Sequence, residues 1–131
     1  MRTAKEIIEA HYAASAAKDL DGMVADFAAQ VEWTEMAGFP YAGTYVGPES
    51  VKENVFLRLG AEWDSYDATP EQLVADEEAG VVVGLGWYTG VHGGTGRAMR
   101  ARFAHFWTLA DGEIVRFEQV TDSHVVREAM R

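Results

Sequence analysis

The stretch Ala101-Arg-Phe-Ala-His-Phe-Trp-Thr-Leu-Ala-Asp-Gly-Glu-Ile-Val-Arg-Phe-Glu-Gln-Val-Thr-Asp122 decides the fold. Two runs rich in β-branched and aromatic residues flank Asp111-Gly112, a dipeptide suited to a tight turn, so the stretch is a long β-hairpin. Successive side chains of a strand point to opposite faces. The first strand therefore divides into Arg102, Ala104, Phe106 and Thr108 on one side and Phe103, His105, Trp107 and Leu109 on the other. The second divides into Val115, Phe117, Gln119 and Thr121 against Ile114, Arg116, Glu118, Val120 and Asp122. Neither side is a plain water face, and a sheet apolar on both sides has to be covered on both. Helices are expected over one face and a second subunit over the other. Arg102, Phe106, Phe117 and Gln119 are assigned to the concave, pocket-forming side.

Upstream, Thr3 and Glu6 form a capping box, and Ile7, Ile8, Ala10, Ala14 and Ala17 mark the buried stripe of a first helix that ends near Lys18 and carries His11 and Tyr12. Asp19-Leu-Asp-Gly starts a short second helix with Met23, Val24 and Phe27 inward. Val31-Glu-Trp-Thr-Glu-Met alternates as a strand with Val31, Trp33 and Glu35 on one face, and the segment from Gly38 to Gly43 is loop. Gly47-Pro48 opens a third helix along Val51, Val55 and Leu59, which Gly60 ends. Between Glu62 and Asp76, Pro70 implies an edge strand or two short pieces. The run from Val81 to Tyr88 is a clear strand. Gly84 and Gly86 share a face of it, which implies sharp curvature or close approach of another group. Residues from Ser123 to Met130 make a last helix. Helices gathered on one side of such strands make an α+β domain, expected to span 1–131: a curved, mostly antiparallel, cone-shaped sheet whose three N-terminal helices enclose a pocket.

Composition narrows the function. Eleven basic residues against 21 acidic ones give a net charge of −10, which repels nucleic-acid phosphates and anionic lipid, so neither is expected as a partner. The absence of cysteine excludes disulfides, thiolate metal sites and thiol nucleophiles, and fits a cytoplasmic location. The four histidines lack metal-ligand spacing, His92-Gly-Gly-Thr-Gly lacks the lysine of a phosphate loop, and no serine sits in a Gly-x-Ser-x-Gly turn. No metal and no cofactor is expected. A small apolar ligand and a homodimer are.

Several segments together resemble a known family: Tyr12 to Phe27, Val31-Glu-Trp, Ala42-Gly-Thr-Tyr-Val-Gly-Pro-Glu-Ser-Val, and Phe103-Ala-His-Phe-Trp-Thr-Leu-Ala-Asp-Gly-Glu-Ile-Val-Arg-Phe through Thr121-Asp122. They are similar to the SnoaL-like, ketosteroid isomerase-related proteins of the nuclear transport factor 2-like superfamily. The resemblance implies the curved-sheet cone. For activity it implies cofactor-free proton transfer on an apolar carbonyl compound, of isomerase, cyclase or dehydratase type, or else a non-catalytic module that binds a hydrophobic ligand. By position, His11 matches the oxyanion-hole tyrosine of ketosteroid isomerases, with Tyr12 beside it, and Glu35 matches their general base. The protonated aspartate of that site falls near Ala104. Asp122 matches the acid/base aspartate that SnoaL-type cyclases carry at the end of the last strand.

Each candidate also has a plainer structural reading. Asp122 precedes a helix and is placed to cap it. Glu35 is either a pocket carboxylate or a solvated strand end. His11 is a satisfied core histidine or a donor or base. Arg102 on the concave side would need a carboxylate, Glu35 or Asp122, and would act as a substrate clamp or a lock. Tyr88 offers its hydroxyl to a ligand or to the core, and His105 is assigned to the dimer face. The expected catalytic set is Asp122, Glu35 and His11, surrounded by Trp33, Tyr12, Tyr88, Arg102, Phe106, Phe117 and Gln119.

Overall fold

The computed structural model describes residues 1–131. Helix α1 (Ala4–Ala16) begins at the expected capping box: the Thr3 hydroxyl accepts from the Glu6 N–H at 3.1 Å and the Glu6 carboxylate accepts from the Thr3 N–H at 2.8 Å. The Glu77 carboxylate reaches the same end and accepts from the Ala4 and Lys5 N–H groups, tying α1 to a distant turn of the sheet. Lys18, with φ of 57°, turns the chain. Asp19 then caps α2 (Leu20–Val24). The third helical segment opens as α3 (Pro48–Val51), widens into a π-helical stretch (Lys52–Phe56) and continues as α4 (Leu57–Glu62). It runs through Gly60, where the sequence suggested a stop. The chain closes with α5 (Ser123–Ala129).

The strands β1 (Phe27–Glu35), β2 (Gly43–Val46), β3 (Trp63–Asp76), β4 (Val81–His92), β5 (Ala98–Ala110) and β6 (Glu113–Thr121) form one sheet ordered β2-β1-β6-β5-β4-β3. All neighbours are antiparallel except β1 and β6. Strand β2 was not foreseen, because its four residues start at one glycine, stop before another and bury little. The edge strand β3 passes through Pro70 unbroken, absorbing it in a register shift between Pro70 and Gln72. The hairpin β5–β6 turns at Asp111 and Gly112 with φ of 54° and 78°, as a two-residue turn with both central φ positive requires.

The expected assignment of faces on β5 is reversed. Phe103, His105, Trp107 and Leu109 are buried on the concave side, whereas Arg102 and Phe106 are exposed on the outer side. Register explains this. Phe103 pairs with Thr121, His105 with Gln119 and Trp107 with Phe117, so the face that holds Phe117 and Gln119 cannot also hold Arg102. A bulge after Thr108 then skips Val115, which lets Ile114 and Phe117 both bury.

Curvature comes from β4, whose inward residues include Gly84 and Gly86. A Cβ on Gly86 would lie 2.2 Å from the Thr69 carbonyl oxygen, and one on Gly84 would lie 2.6 Å from the Tyr12 hydroxyl. Close approach of the edge strand and of α1 therefore requires glycine at both positions.

Candidate functional site

Helix α1, the α3–α4 segment and the concave sheet face enclose a cavity of about 400 Å³. Its walls are aromatic: Phe117 stacks on Trp33 with ring centroids 3.7 Å apart, Trp107 meets Trp33 edge-on at 5.6 Å, and Phe56 does so at 5.2 Å. Trp63 and Tyr66 complete the lining from β3.

Glu35 ends β1 inside this cavity. It is 4 % exposed, it belongs to no ion pair or hydrogen bond, and its Oε2 is fully buried. Burial pushes the carboxyl up to about 8, and the Trp33 indole, outside hydrogen-bond geometry, offsets only part of that rise. Both protonation states are therefore populated near neutral pH. Strand alternation places Glu35 here: Val31, Trp33 and Glu35 all face inward.

His11, on α1, lines the same cavity. Its Nδ1 donates to the Met23 carbonyl at 2.8 Å, so Nε2 carries the lone pair. Packed near Trp107 and Phe27, the imidazole is pushed down to about 4 by burial and is neutral at physiological pH.

Between α1 and the sheet runs a buried polar chain. The Trp107 indole donates to the Tyr12 hydroxyl at 3.1 Å, Tyr12 meets His105 Nδ1 at 2.7 Å, His105 Nε2 meets the Tyr88 hydroxyl at 2.6 Å, and the Gln119 amide donates to Tyr88 at 2.9 Å. Burial holds His105 well below the ordinary histidine range and raises both tyrosines.

The structure thus gathers Glu35, His11, Tyr12, Tyr88, Trp33 and Phe117 around one cavity, with Gln119 just behind Tyr88. It leaves out three expected residues. Asp122 is exposed at the α5 N-terminus, where its carboxylate accepts from the Val125 N–H at 3.3 Å. Arg102 lies on the outer face, paired with Glu71 at 2.5 Å and packed over Trp87, with neither Glu35 nor Asp122 in reach. Phe106 points outward at 45 % exposure. The aromatic lining residues that the expected site omitted include Trp63, Tyr66, His105 and Trp107. His105 and Trp107 went with the reversed β5 face, whereas Trp63 and Tyr66 sit in a stretch with little alternation. No group of three or more histidines and carboxylates is placed to hold a metal ion. No helix is long and apolar enough to cross a membrane.

Because Asp122 only caps α5, Asp122→Ala is expected to lower stability by about 1 kcal/mol and to leave ligand binding in the cavity unchanged. Thermal unfolding and a ligand titration check both parts.

Residues 8–117 match the SnoaL-like domain. The chain belongs to that family. This SnoaL-like protein is 46% identical to a nuclear transport factor 2-like protein from Burkholderia thailandensis, with a TM-score of 0.96 over 100% of this chain and 99% of the other. TerC, crystallised with polyporic acid, is 24% identical with a TM-score of 0.86 over 97% of each chain. A protein of ketosteroid isomerase-like fold from Catenulispora acidiphila, in complex with trimethylamine, is 19% identical with a TM-score of 0.77 over 88% of this chain and 84% of that one. Comparison with the curated proteins gives no match. The last two likenesses concern the fold alone.

Proposed function

We propose that this SnoaL-like protein is a small-molecule enzyme that moves a proton on an apolar carbonyl compound without a cofactor, and that Glu35 is its acid/base. The observation that carries the reading is a buried, unpaired carboxyl in an aromatic cavity, shifted to about 8. A general acid/base works best with its ordinary range moved toward the operating pH. The C–H proton next to the carbonyl passes to the Glu35 carboxylate, the electron pair moves to the carbonyl oxygen as enolate, and the proton returns to carbon at the same or a conjugated position. His11, neutral, orients the ligand through its free Nε2. Asp122, exposed at its cap, takes no part.

Hydrogen–deuterium exchange at the α-carbon of 2-tetralone, followed by NMR, tests this without knowledge of the natural substrate. The enzyme-dependent rate should rise with pH as Glu35 loses its proton and level off above about pH 8. A rate unaffected by enzyme, or flat across that range, would sink the assignment.

One observation favours the rival reading of a ligand-binding module: the Tyr12–His105–Tyr88 chain is bonded internally, as a structural lock would be. In that case the cavity binds the bicyclic ketone and exchange stays at the buffer rate.

The outer face is assigned to a second copy of the chain. Phe106 and Val120 are exposed there at 45 % and 59 %, among Arg100, Arg102, Arg116, Glu71 and Glu118, a mixed-sign surface that complements itself across a two-fold axis. Phe106→Glu combined with Val120→Lys should convert the dimer to monomer in light scattering. An unchanged mass, or a monomeric parent, would refute the assignment.

A further inference from the structure

The cavity reaches solvent on one side. Of its lining residues only Lys18, Leu57, Gly60, Asp64 and Ser65 are exposed, and they come from the turn after α1, from α4 and from the start of β3. The mouth therefore lies among those three elements, away from the outer sheet face assigned to a second copy. Lys18 stands on its α1 side. Its backbone ends the helix in a left-handed turn: φ is 57°, the Lys18 N–H donates to the Ser15 carbonyl at 3.1 Å, and the Asp19 N–H donates to the Ala14 carbonyl at 2.9 Å. Glycine is the usual occupant of such a position, because a Cβ there crowds the following carbonyl oxygen. Here the position carries one of the longest side chains instead.

That side chain is committed across the opening. Lys18 Nζ donates to the Tyr66 carbonyl at 2.7 Å and to the Asp67 carboxylate at 2.9 Å, so one ammonium ties the end of α1 to β3. Tyr66 itself lines the cavity, next to Asp64 and Ser65 at the rim. No other side-chain hydrogen bond or ion pair joins the α1–α2 turn to β3: Asp19 caps α2, and Asp21 pairs with Lys52 of the π-helical stretch. The tie is also a weak one. The Lys18 and Asp67 side chains are 61 % and 46 % exposed, so water and salt compete for both ends.

From the strained backbone and the reach of the side chain we propose that Lys18 is a strap across the cavity mouth and sets how fast small molecules pass in and out. With the strap made, the ammonium holds the start of β3 against the α1 turn and narrows the gap that faces Leu57 and Gly60. With it broken, the two rims part and the gap widens. A bond this exposed opens spontaneously, so a ligand need not supply the energy, and passage is governed by the fraction of time the strap is undone. The inference goes beyond the acid/base reading: it concerns entry to the chamber and holds for an enzyme and for a binding module alike.

Acrylamide, a small neutral quencher, measures that passage without any knowledge of the ligand. Trp33, Trp63 and Trp107 line the cavity and are buried, whereas Trp87 lies under Arg100 on the outer face and gives the same background in every variant. Lys18→Met keeps the stem and removes the charge. It should raise the bimolecular quenching constant of the cavity tryptophans about threefold to tenfold, as loss of one exposed ion pair and one charged hydrogen bond implies. Lys18→Gly should raise it as much, although it relieves the backbone, and Lys18→Arg, which keeps the cation, should stay near wild type. Raising sodium chloride from about 0.02 M to about 0.5 M should speed quenching in wild type and leave Lys18→Met unchanged. Melting temperatures separate a strap from a merely structural tie. If the lysine only stiffened the fold, quenching would follow stability, and the strained Lys18→Met would be quenched faster than the relaxed Lys18→Gly. Quenching that tracks melting temperature across the three variants, or that is equal in Lys18→Met and wild type, overturns the proposal.

Discussion

Glu35→Gln should lower the enzyme-dependent exchange rate by roughly 10²-fold or more, the typical contribution of a positioned acid/base, and at the same time make the protein more resistant to alkaline pH. The amide keeps the shape of the carboxyl and loses only its titration. In the wild type the folded state holds the Glu35 proton up to about pH 8, while the unfolded chain releases it near 4.5. The folded state therefore binds more protons across that window, and stability falls as pH rises through it. For a group this buried, the loss is on the order of 5 kcal/mol by pH 8. Two histidines act in the opposite sense: His11, lowered to about 4, and His105, held well below its ordinary range by burial, bind fewer protons folded than unfolded, so their contribution is present above 6.5 and lost as pH falls. Wild-type stability should accordingly peak near pH 6.5, and the melting temperature of Glu35→Gln should gain on that of wild type from pH 5 to pH 8. Parallel profiles would show that Glu35 is solvated. A full rate in the variant would show that it is idle.

Trp107→Ala should be the most damaging truncation in the hairpin, costing about 3–5 kcal/mol. The side chain is 0 % exposed and touches the rings of His11, Tyr12, Trp33, His105 and Phe117. Its loss leaves a cavity and takes away the indole donor to Tyr12. Phe106→Ala, one residue earlier on the outer face, should cost less than about 1 kcal/mol in the monomer. Chemical denaturation of the two variants compares the faces of β5 directly, and equal losses would contradict the register described here.

That pair of neighbours also shows where sequence reasoning stopped. The hairpin, the capping box, the shared face of Val31, Trp33 and Glu35, and the glycine-dependent curvature of β4 were all legible, because each is fixed by local chemistry or by strict alternation. The side of β5 that faces the cavity was not. Both faces of that strand are apolar, so alternation names two sets without saying which is inside, and the choice depends on pairing with β6 across a bulge that the residues do not announce. With the faces exchanged, Arg102 and Phe106 were drawn into the site, and His105 and Trp107 were sent to the surface. Asp122 failed for another reason. Its position after the last strand is legible, but whether its carboxylate turns inward or back to the Val125 N–H is decided by how α5 leaves the sheet. Glu35 stood at the end of a strand beside a glycine loop. Its burial depends on Trp63 and Tyr66, which arrive from a segment with no clear pattern of its own.

The π-helical stretch from Lys52 to Phe56 contributes Val55 and Phe56 to the cavity, and the helix that follows adds Leu57, Leu59 and Gly60. A π turn holds one residue more than a regular turn. Deleting a single codon there would restore an ordinary helix and leave the segment downstream, up to Glu62, facing as it does now, while taking one side chain out of the turn that presents Val55 and Phe56 to the cavity. In this lineage, the size of the chamber over Glu35 is therefore open to change in one step through a difference in gene length, a route separate from the slower substitution of its walls.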